Sequence, residues 1–562
     1  MILKLFKIIF IILLFYQNPL YSKSKTLSEF NSHYLSNYFS GIIAYHNEDN
    51  KDALRFFQSS KFLIKKHDPY LKKYIYSLVL ENKIQKATSE IKQNLRNKNS
   101  NFFEAYLILA LDSLKKKDFK KSLNYLNETS RFVQNDRFAL IIYESLKEYL
   151  IVFEDNKIPK KKKGFGNLSL INEVFQRCYL NDKNTNIYFE QLINNQSGED
   201  YSRYIFFYVQ YLIENNKFEE AKKITDNLDF LNSTLLVSQG KAWIENKEIH
   251  KFIEIFSCQN SNDIVSEFLF LIGNLYASQN QYKYSNFYLN LSQHFNSKFR
   301  FNYSLLAENY YLNNNYKKAE FFLDQFSNED DFYYWFKLKK KAQIISKKSS
   351  EEEGLDFINK NFKKINNPST KMIFDLANFN KNIKRYKEAI NYYNEIISKN
   401  NIDLVLYSEL LYRRGSAYER LGDYSNADKD LLKSLDIDPD DAYVLNYLAY
   451  SWLERNYKID NAIQMLEKAY ESKSNDPYII DSIGWAYFLI DDFLKAEKFL
   501  KRAVELMPED PVVNDHYGDI LWKLNRKIQA RYFWKSVLDI KETEDQMKKD
   551  VNRKLIEGLK TS

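Results

Sequence analysis

The stretch GWAYFLIDDFLKAEKFLKRAVELMP, residues 484–508, determines the fold of this chain. It sets Gly484 in a first helix and Ala496 early in a second, with Leu500 one turn later and Pro508 at the end. Small residues let two helices cross closely, and the large residue fills the groove beside them. The stretch therefore predicts a helical hairpin in which the small residues are contact points.

The same spacing returns along the chain. Gly415 precedes Ala427, and Gly518 precedes Ala530, as Gly484 precedes Ala496. The residues that mark each first helix recur about every 34 residues. They fall at residues 41, 75, 110, 209, 240, 273, 307, 342, 377, 415, 449, 484 and 518. Apart from the gap between residues 110 and 209, this register predicts an array of stacked hairpins.

The register resembles that of the tetratricopeptide repeat (TPR) family, strongly from Ser408 to Leu538 and weakly before Ser408. The resemblance implies an all-α fold, a TPR helix-turn-helix solenoid forming a right-handed superhelix of about 12–14 hairpins with a C-terminal capping helix. It also implies a concave face that binds extended or helical segments of other proteins. It does not name the partner.

Repeat quality divides the chain into six segments. These are a signal peptide (1–22), an N-terminal TPR-like block (23–151), a linker rich in Lys, Pro and Gly (152–170), a degenerate TPR-like block (171–365), a well-formed TPR block (366–540), and a capping helix with its tail (541–562). The linker contains the lysine run Lys160, Lys161, Lys162 and Lys163. Such a run is typical of a solvated loop, and contact with an anionic surface is the alternative.

The N-terminus has the pattern of a secretory signal. Met1 to Lys7 supplies two lysines, Ile8 to Tyr16 is apolar, and Pro19 breaks the run ahead of Ser22. The apolar run is shorter than the about 20 residues that span a bilayer. We predict cleavage near Lys23 and an exported, periplasmic protein of a Gram-negative cell. An uncleaved N-terminal membrane anchor is the alternative.

In an exported chain, Cys178 and Cys258 invite a disulfide. They lie more than two repeats apart, and a regular stack rarely brings such residues within the about 4.4–6.8 Å between Cα atoms that a disulfide needs. We expect two separate buried thiols, with the disulfide as the alternative.

The sequence offers no recognised catalytic motif: GxxxxGK, HExxH, GxSxG and CxxC are all absent. The histidines are scattered, at His33, His46, His67, His250, His294 and His516. His516 with Asp515 and Asp519 is the densest polar cluster, which we interpret as a solvated helix face or peptide contact rather than a metal or acid–base site. We predict no enzyme activity, metal or cofactor; an unrecognised site within residues 167–260 is the alternative.

The charge distribution disfavours nucleic acid as a partner. The net charge of +8 is spread over many helices, and an exported chain would rarely meet nucleic acid. We therefore predict protein partners.

The TPR resemblance places the residues three before, one after and four after each first-helix marker on the groove surface. On the four best repeats these are Tyr412, Ser416, Glu419, Asn446, Tyr450, Leu453, Asp481, Trp485, Phe488, Asp515, Asp519 and Trp522. As partner-binding residues we select Tyr412, Asn446, Tyr450, Asp481, Trp485, Asp515, Asp519 and Trp522.

This groove surface has no lysine, so it departs from the TPR domains that clamp a C-terminal carboxylate. Carboxylates between aromatic rings suit an extended segment with basic and apolar side chains. We expect Asp481 and Asp515 to be exposed. The tryptophans either face the groove or pack against the next first helix.

The tail places Met547, Val551, Leu555 and Leu559 at helical spacing. We predict an amphipathic helix that caps the last hairpin; docking to a partner helix or a membrane is the alternative. Together these features predict a non-enzymatic scaffold or adaptor of the bacterial cell envelope. The alternative is a regulatory or targeting subunit of an envelope enzyme, such as a peptidoglycan hydrolase, a synthase or a protease.

Overall fold

The fold is all-helical throughout the part of the chain that the structure describes. The computed structural model describes residues 32–95, 101–159, 164–194, 202–226, 228, 234–327, 331–399, 402–541 and 543–559. These residues form 30 α-helices and no strand. They divide into two compact units, residues 32–344 (unit 1) and 345–559 (unit 2). The boundary follows packing rather than repeat quality, so it leaves the predicted blocks untested.

The helices of unit 1 follow one another closely. They are α1 (Ser32–His46), α2 (Asn50–Ser59), α3 (Asp68–Leu80), α4 (Ile84–Asn94), α5 (Phe103–Lys115), α6 (Phe119–Glu128), α7 (Arg137–Asp155), α8 (Asn167–Tyr179), α9 (Thr185–Ile193), α10 (Ser202–Glu214), α11 (Phe218–Asp226), α12 (Leu235–Glu245), α13 (His250–Ile255), α14 (Ser261–Ala277), α15 (Tyr282–Phe295), α16 (Asn302–Leu312), α17 (Tyr316–Leu323) and α18 (Asp331–Lys348), the last of which contains the unit boundary.

Unit 2 continues the succession. Its helices are α19 (Glu351–Phe362), α20 (Thr370–Asn382), α21 (Tyr386–Ile397), α22 (Leu404–Arg420), α23 (Tyr424–Ile437), α24 (Ala442–Glu454), α25 (Ile459–Ser472), α26 (Pro477–Leu489), α27 (Phe493–Leu506), α28 (Pro511–Lys523), α29 (Lys527–Asp539) and α30 (Asp545–Glu557). In both units most described helices are joined to the next by a short turn, as in the predicted helical hairpins.

Close helix crossings confirm the predicted role of the small residues. A Cβ atom built on Gly484 would lie 2.8 Å from Leu500, and one on Gly273 would lie 2.9 Å from Leu289. Both leucines are fully buried. Because real Cβ atoms essentially never come this close to another atom, a larger residue at either position would require the leucine or its helix to shift.

Turns and caps explain why the hairpins form with few glycines. The residue that turns between paired helices has positive φ and is usually asparagine, as at Asn82, Asn314 and Asn525. Asparagine tolerates this left-handed conformation better than most residues. An acidic side chain often caps the second helix; the Asp492 carboxylate accepts a hydrogen bond from the Lys495 backbone N–H. These turns and caps stabilise the hairpins in which the first-helix marker is not glycine.

The cysteines form a disulfide, so the expectation of two separate thiols is wrong. Cys178 of α8 and Cys258, just after α13, are bonded with their Cα atoms 5.8 Å apart. The packing here is not a regular stack, because α13 is short and the chain after it turns back onto α8. The Phe256 ring lies 5.9 Å from that of Phe175, and the Gln259 amide donates a hydrogen bond to the Cys178 carbonyl oxygen.

The last helix, α30, packs on the final hairpin as predicted. Val551 is fully buried there, and Met547, Leu555 and Leu559 pack against the same core. No helix among the described residues is long and apolar enough to cross a membrane. The predicted signal segment, residues 1–22, and the lysine run, residues 160–163, lie outside the described residues.

Candidate functional site

Aligned helix starts position the groove surface of unit 2. Asp441, Asp476 and Asp510 each cap a first helix by accepting hydrogen bonds from two backbone N–H groups. Proline follows Asp476 and Asp510 in the first helical position, where its missing N–H costs nothing. As a result α24, α26 and α28 begin in the same register, and their groove residues fall on equivalent turns.

A cleft of about 620 Å³ opens on this surface, and we call it the unit 2 cleft. It contains three of the predicted partner-binding residues, Asn446, Tyr450 and Asp481. The remaining lining residues come from four successive first helices, the turns beside them and the start of α23: Glu419, Arg420, Tyr424, Tyr447, Ser451, Glu454, Arg455, Tyr478, Ser482, Asp510, Val512 and Val513.

The lining carries more uncompensated acid than base. Arg455 is occupied, because its guanidinium lies 2.7 Å from the Asp428 carboxylate and also donates to the Ser451 carbonyl oxygen. Arg420 lies 3.6 Å from Glu419 and points largely into solvent. Glu419 also accepts a hydrogen bond from the Tyr447 hydroxyl at 2.9 Å.

Tyr450 is held in its neutral form. Burial raises its pKa, and the nearby charges of Glu454 and Asp481 raise it further. A neutral phenol beside two carboxylates is a hydrogen-bond donor and an amphipathic contact surface.

Three buried polar atoms of the cleft residues have no hydrogen-bond partner among the described residues. They are Asn446 Oδ1, Ser451 Oγ and Asp481 Oδ1. Ser451 and Asp481 are each only 5% exposed. Each buried polar group left unsatisfied costs about 1–3 kcal/mol, so such groups are normally paired with protein, water or ligand. Two of the three are obligate acceptors, which fits a ligand that brings donors.

Asp481 was expected to be exposed, and this expectation is wrong. The imidazole of His516, on the next first helix, covers it with Nδ1 lying 2.9 Å from Oδ2. Burial alone would lower the pKa of His516, but the charge and hydrogen bond of Asp481 outweigh it and raise that pKa. The pair uses one oxygen of Asp481 and leaves the other, Oδ1, unpartnered within the described part of the chain.

Trp485 packs against the next first helix, the second of the two predicted possibilities. Its ring stacks on that of Phe488 at 4.7 Å and on that of His516 at 4.1 Å. Tyr412 lies beside the cleft rather than in its lining, with its ring 5.8 Å from that of Tyr447.

The other three predicted residues lie under α30. The Lys554 Nζ atom is 2.8 Å from both carboxylate oxygens of Asp515 and of Asp519. Asp519 also accepts from Trp534 Nε1 at 2.9 Å. The expected exposure of Asp515 is therefore wrong, because its side chain is only 15% exposed. Trp522 is covered by Gly558, whose backbone passes directly over the indole.

Sequence reasoning missed several cleft residues. Glu454 follows Tyr450 by one helical turn, so helical periodicity alone could have found it. Tyr478 and Asp510 enter the cleft from the starts of the two following first helices. To predict these two residues, one must know how far each hairpin is displaced relative to the one before it. The sequence carries no direct signal for this displacement.

Stacked helical hairpins with a polar cleft on their aligned first helices define a helical-repeat protein of the kind that binds other proteins. The family model described as tetratricopeptide repeat matches residues 408–441, which span most of α22 and all of α23. Together with the repeat geometry, this match identifies the chain as a tetratricopeptide-repeat protein.

Relatives of known sequence match only in part. The TPR repeat-containing protein PA4667 of Pseudomonas aeruginosa is 32% identical over 110 residues, which are 20% of this chain and 18% of that protein. Protein bimA of Emericella nidulans is 25% identical over 84 residues, 15% of this chain and 10% of that protein. The chain thus spans less than a fifth of the length of these two relatives.

Solved structures match over about a third of the chain. MamA residues 41 to end from Desulfovibrio magneticus RS-1 is 22% identical, with a TM-score of 0.27 over 31% of this chain and 97% of that chain. TTC0263, a thermophilic TPR protein from Thermus thermophilus, is 18% identical, with a TM-score of 0.30 over 34% of this chain and all of that chain.

Proposed function

We propose that this chain is a non-enzymatic interaction scaffold that holds an extended protein segment in the unit 2 cleft. The observation that carries the proposal is that three residues lining this one cleft each have a buried polar atom unpartnered within the described residues: Asn446 Oδ1, Ser451 Oγ and Asp481 Oδ1. A peptide brings a backbone N–H at nearly every residue, which is the donor that two of these atoms require.

The charge of the cleft favours a segment with a lysine or an arginine. Glu454 is exposed and Asp481 has a free oxygen, whereas Arg455 is already paired. The equivalent surface one hairpin later takes a lysine from the chain itself, since Lys554 bridges Asp515 and Asp519. In the cleft, the carboxylates of Glu454 and Asp481 would bind a lysine or arginine side chain of a partner in the same way.

We place this scaffold in the periplasm of a Gram-negative cell, as an adaptor of the cell envelope. The N-terminal secretory pattern supports export. The Cys178–Cys258 disulfide supports it independently, because disulfides persist mainly in oxidising compartments. Contact of residues 160–163 with an anionic surface stays a prediction.

A peptide array tests the proposal. The purified mature chain, beginning near Lys23, is applied to peptides that tile the envelope proteins of its host. Glu454→Lys reverses a charge in the cleft; Glu471→Lys makes the same change on an exposed residue of α25, outside the cleft lining.

The proposal predicts that bound peptides are enriched in Lys and Arg, that Glu454→Lys loses them and that Glu471→Lys keeps them. An array pattern unchanged by Glu454→Lys would move the site away from the cleft. In the host, loss of a single enzyme's activity on deletion would instead assign the chain as a subunit of that enzyme.

A further inference from the structure

Within unit 1 the N-terminal hairpins pack against helices more than 200 residues later in the chain. The Lys283 ammonium donates a hydrogen bond to the Tyr45 carbonyl oxygen at 2.7 Å, a sequence separation of 238. Lys318 forms an ion pair with Glu81 at 3.0 Å. The ring of Tyr76 stacks on that of Phe287 at 4.5 Å. The end of α1, the helix α3 and the turn after α3 are thereby held against α15 and α17.

A cavity of about 660 Å³ lies between these two parts of unit 1, and we call it the unit 1 cavity. Its volume falls within the about 300–1,000 Å³ typical of small-molecule sites. Its lining is rich in amide side chains, which come from both parts of unit 1: Asn47, Asn82, Asn290, Gln293, Asn315 and Gln325.

Two buried acceptors of this lining have no hydrogen-bond partner among the residues that the structure describes. They are Glu48 Oε2 and Gln293 Oε1. Gln293 is only 5% exposed, and its amide nitrogen is already used, donating to the Ser297 carbonyl oxygen at 3.0 Å. Both atoms can accept a hydrogen bond from a ligand, and the Tyr303 hydroxyl of the same lining also interacts with the Gln293 side chain.

The charges of the lining balance. Three acidic side chains face three lysines: Glu48, Asp49 and Glu81, with Lys51, Lys317 and Lys318. One acid and one lysine already pair directly, Glu81 with Lys318. A lining with equal numbers of both signs does not select an ion, so it favours an uncharged ligand.

Aromatic rings supply the apolar part of the wall. Tyr310 and Phe322 stack face to face, with ring centroids 5.5 Å apart and planes at 5°. Phe321 belongs to the same lining and is 60% exposed, which is unusual for a phenylalanine. An exposed ring beside amide groups offers a flat apolar face next to hydrogen-bonding partners.

We propose that the unit 1 cavity binds an uncharged saccharide of one or two rings. A sugar carries hydroxyl donors around its rim for Glu48 Oε2 and Gln293 Oε1, and an apolar C–H face for packing on Phe321. This site is separate from the unit 2 cleft and does not depend on its function.

Saturation-transfer NMR on the full mature chain tests the proposal, with N,N′-diacetylchitobiose and maltose as uncharged saccharide probes and a neutral hexapeptide of Gly, Ser and Asn for comparison. Phe321→Ser removes the exposed ring, and Gln293→Leu removes the unpartnered acceptor. Phe39→Ser is the matched control, because Phe39 is 52% exposed in the same unit and does not line the cavity.

We expect at least one saccharide to bind in the millimolar range or tighter and to bind about tenfold more weakly to Phe321→Ser and Gln293→Leu. Phe39→Ser should bind like the unchanged chain. Because Phe321 is a surface residue, its variant keeps the test valid even if Gln293→Leu fails to fold. No saccharide signal, a signal that both variants preserve, or binding of the hexapeptide alone would each overturn the proposal.

Discussion

The ammonium of Lys554 lies 2.8 Å from both carboxylate oxygens of Asp515. It makes the same distances to Asp519, so one cation from α30 bridges two acids on the surface of α28. The chain thus covers the last part of its own groove surface. One hairpin earlier, Asp481 gives one oxygen to His516 and leaves the other for the unit 2 cleft.

The buried Lys554 cluster should matter for stability. Lys554→Met would leave two neighbouring buried carboxylates without their cation, and we expect a loss of about 3 kcal/mol in the stability of unit 2. Thermal unfolding monitored by hydrogen exchange in α28 and α30 measures it. Lys384→Met is the control, because the Lys384–Glu544 pair is exposed on both sides and should contribute nothing measurable. Equal losses in both variants would contradict this account.

His516 should make the stability of unit 2 depend on pH. The pKa of His516 is raised in the folded chain, so its stabilising contribution is fully present below about pH 6.5, the unfolded value, and is lost as pH rises through the folded pKa. The stability difference between the unchanged chain and His516→Gln should therefore shrink as pH rises above neutrality. Denaturant unfolding at a series of pH values checks it; a difference that grows with pH would refute the assignment.

Asp519 should titrate well above an ordinary aspartate. Burial, and then the like charge of Asp515, raise its pKa to about 6 even though Lys554 opposes them. Carbon-detected NMR of the carboxyl groups should show this value, and Lys554→Met should raise it further. Because the folded pKa exceeds the unfolded one, ionisation of Asp519 costs stability as pH rises from about 4 to 6. A carboxyl that titrates near 4 in both proteins would show that the cluster is solvated.

The close helix crossings predict a steric cost at Gly484. Gly484→Val would force the added side chain against Leu500, at a cost of about 1–3 kcal/mol. Gly164→Val is the control, because nothing lies within 4 Å of a Cβ atom built on Gly164. Thermal melts of both variants make the comparison; a harmless Gly484→Val would show that the hairpin is looser than the structure has it.

The disulfide predicts protected thiols. Chain purified from the compartment where it acts should not react with iodoacetamide until it is reduced, and mass spectrometry would count the added groups. Joining residues 80 apart should stabilise the fold by about 4 kcal/mol, so Cys178→Ser should melt at a lower temperature. Two freely alkylated cysteines in the native protein would show that the bond does not form there.

The hairpin register could be predicted from sequence because one steric rule repeats through the chain. At the close crossing of α26 and α27, Gly484 lies against Leu500. Equivalent crossings need a small residue and a large one at the same spacing, and this spacing can be read from the sequence. The same register correctly brought Asn446, Tyr450 and Asp481 into one cleft, since equivalent turns of stacked first helices face the same way.

The contacts by which α30 covers Asp515, Asp519 and Trp522 could not be predicted from the sequence. Lys554 reaches Asp515 from 39 residues away, and its position depends on how α30 docks rather than on any repeat. The bond between Cys178 and Cys258 was missed for a similar reason, because the short α13 departs from the regular stack on which the prediction relied.

Photo-crosslinking from the cleft is the most direct test of the central claim that the unit 2 cleft holds a partner segment. A benzophenone amino acid replaces Tyr478, which lines the cleft and is 58% exposed, or Tyr532, which is 69% exposed on α29 and outside the lining. We expect that only the probe at Tyr478 crosslinks in living cells to a protein segment containing Lys or Arg, and that Glu454→Lys abolishes the product. Equal crosslinking from both positions, or a product at Tyr478 that survives Glu454→Lys, would contradict it.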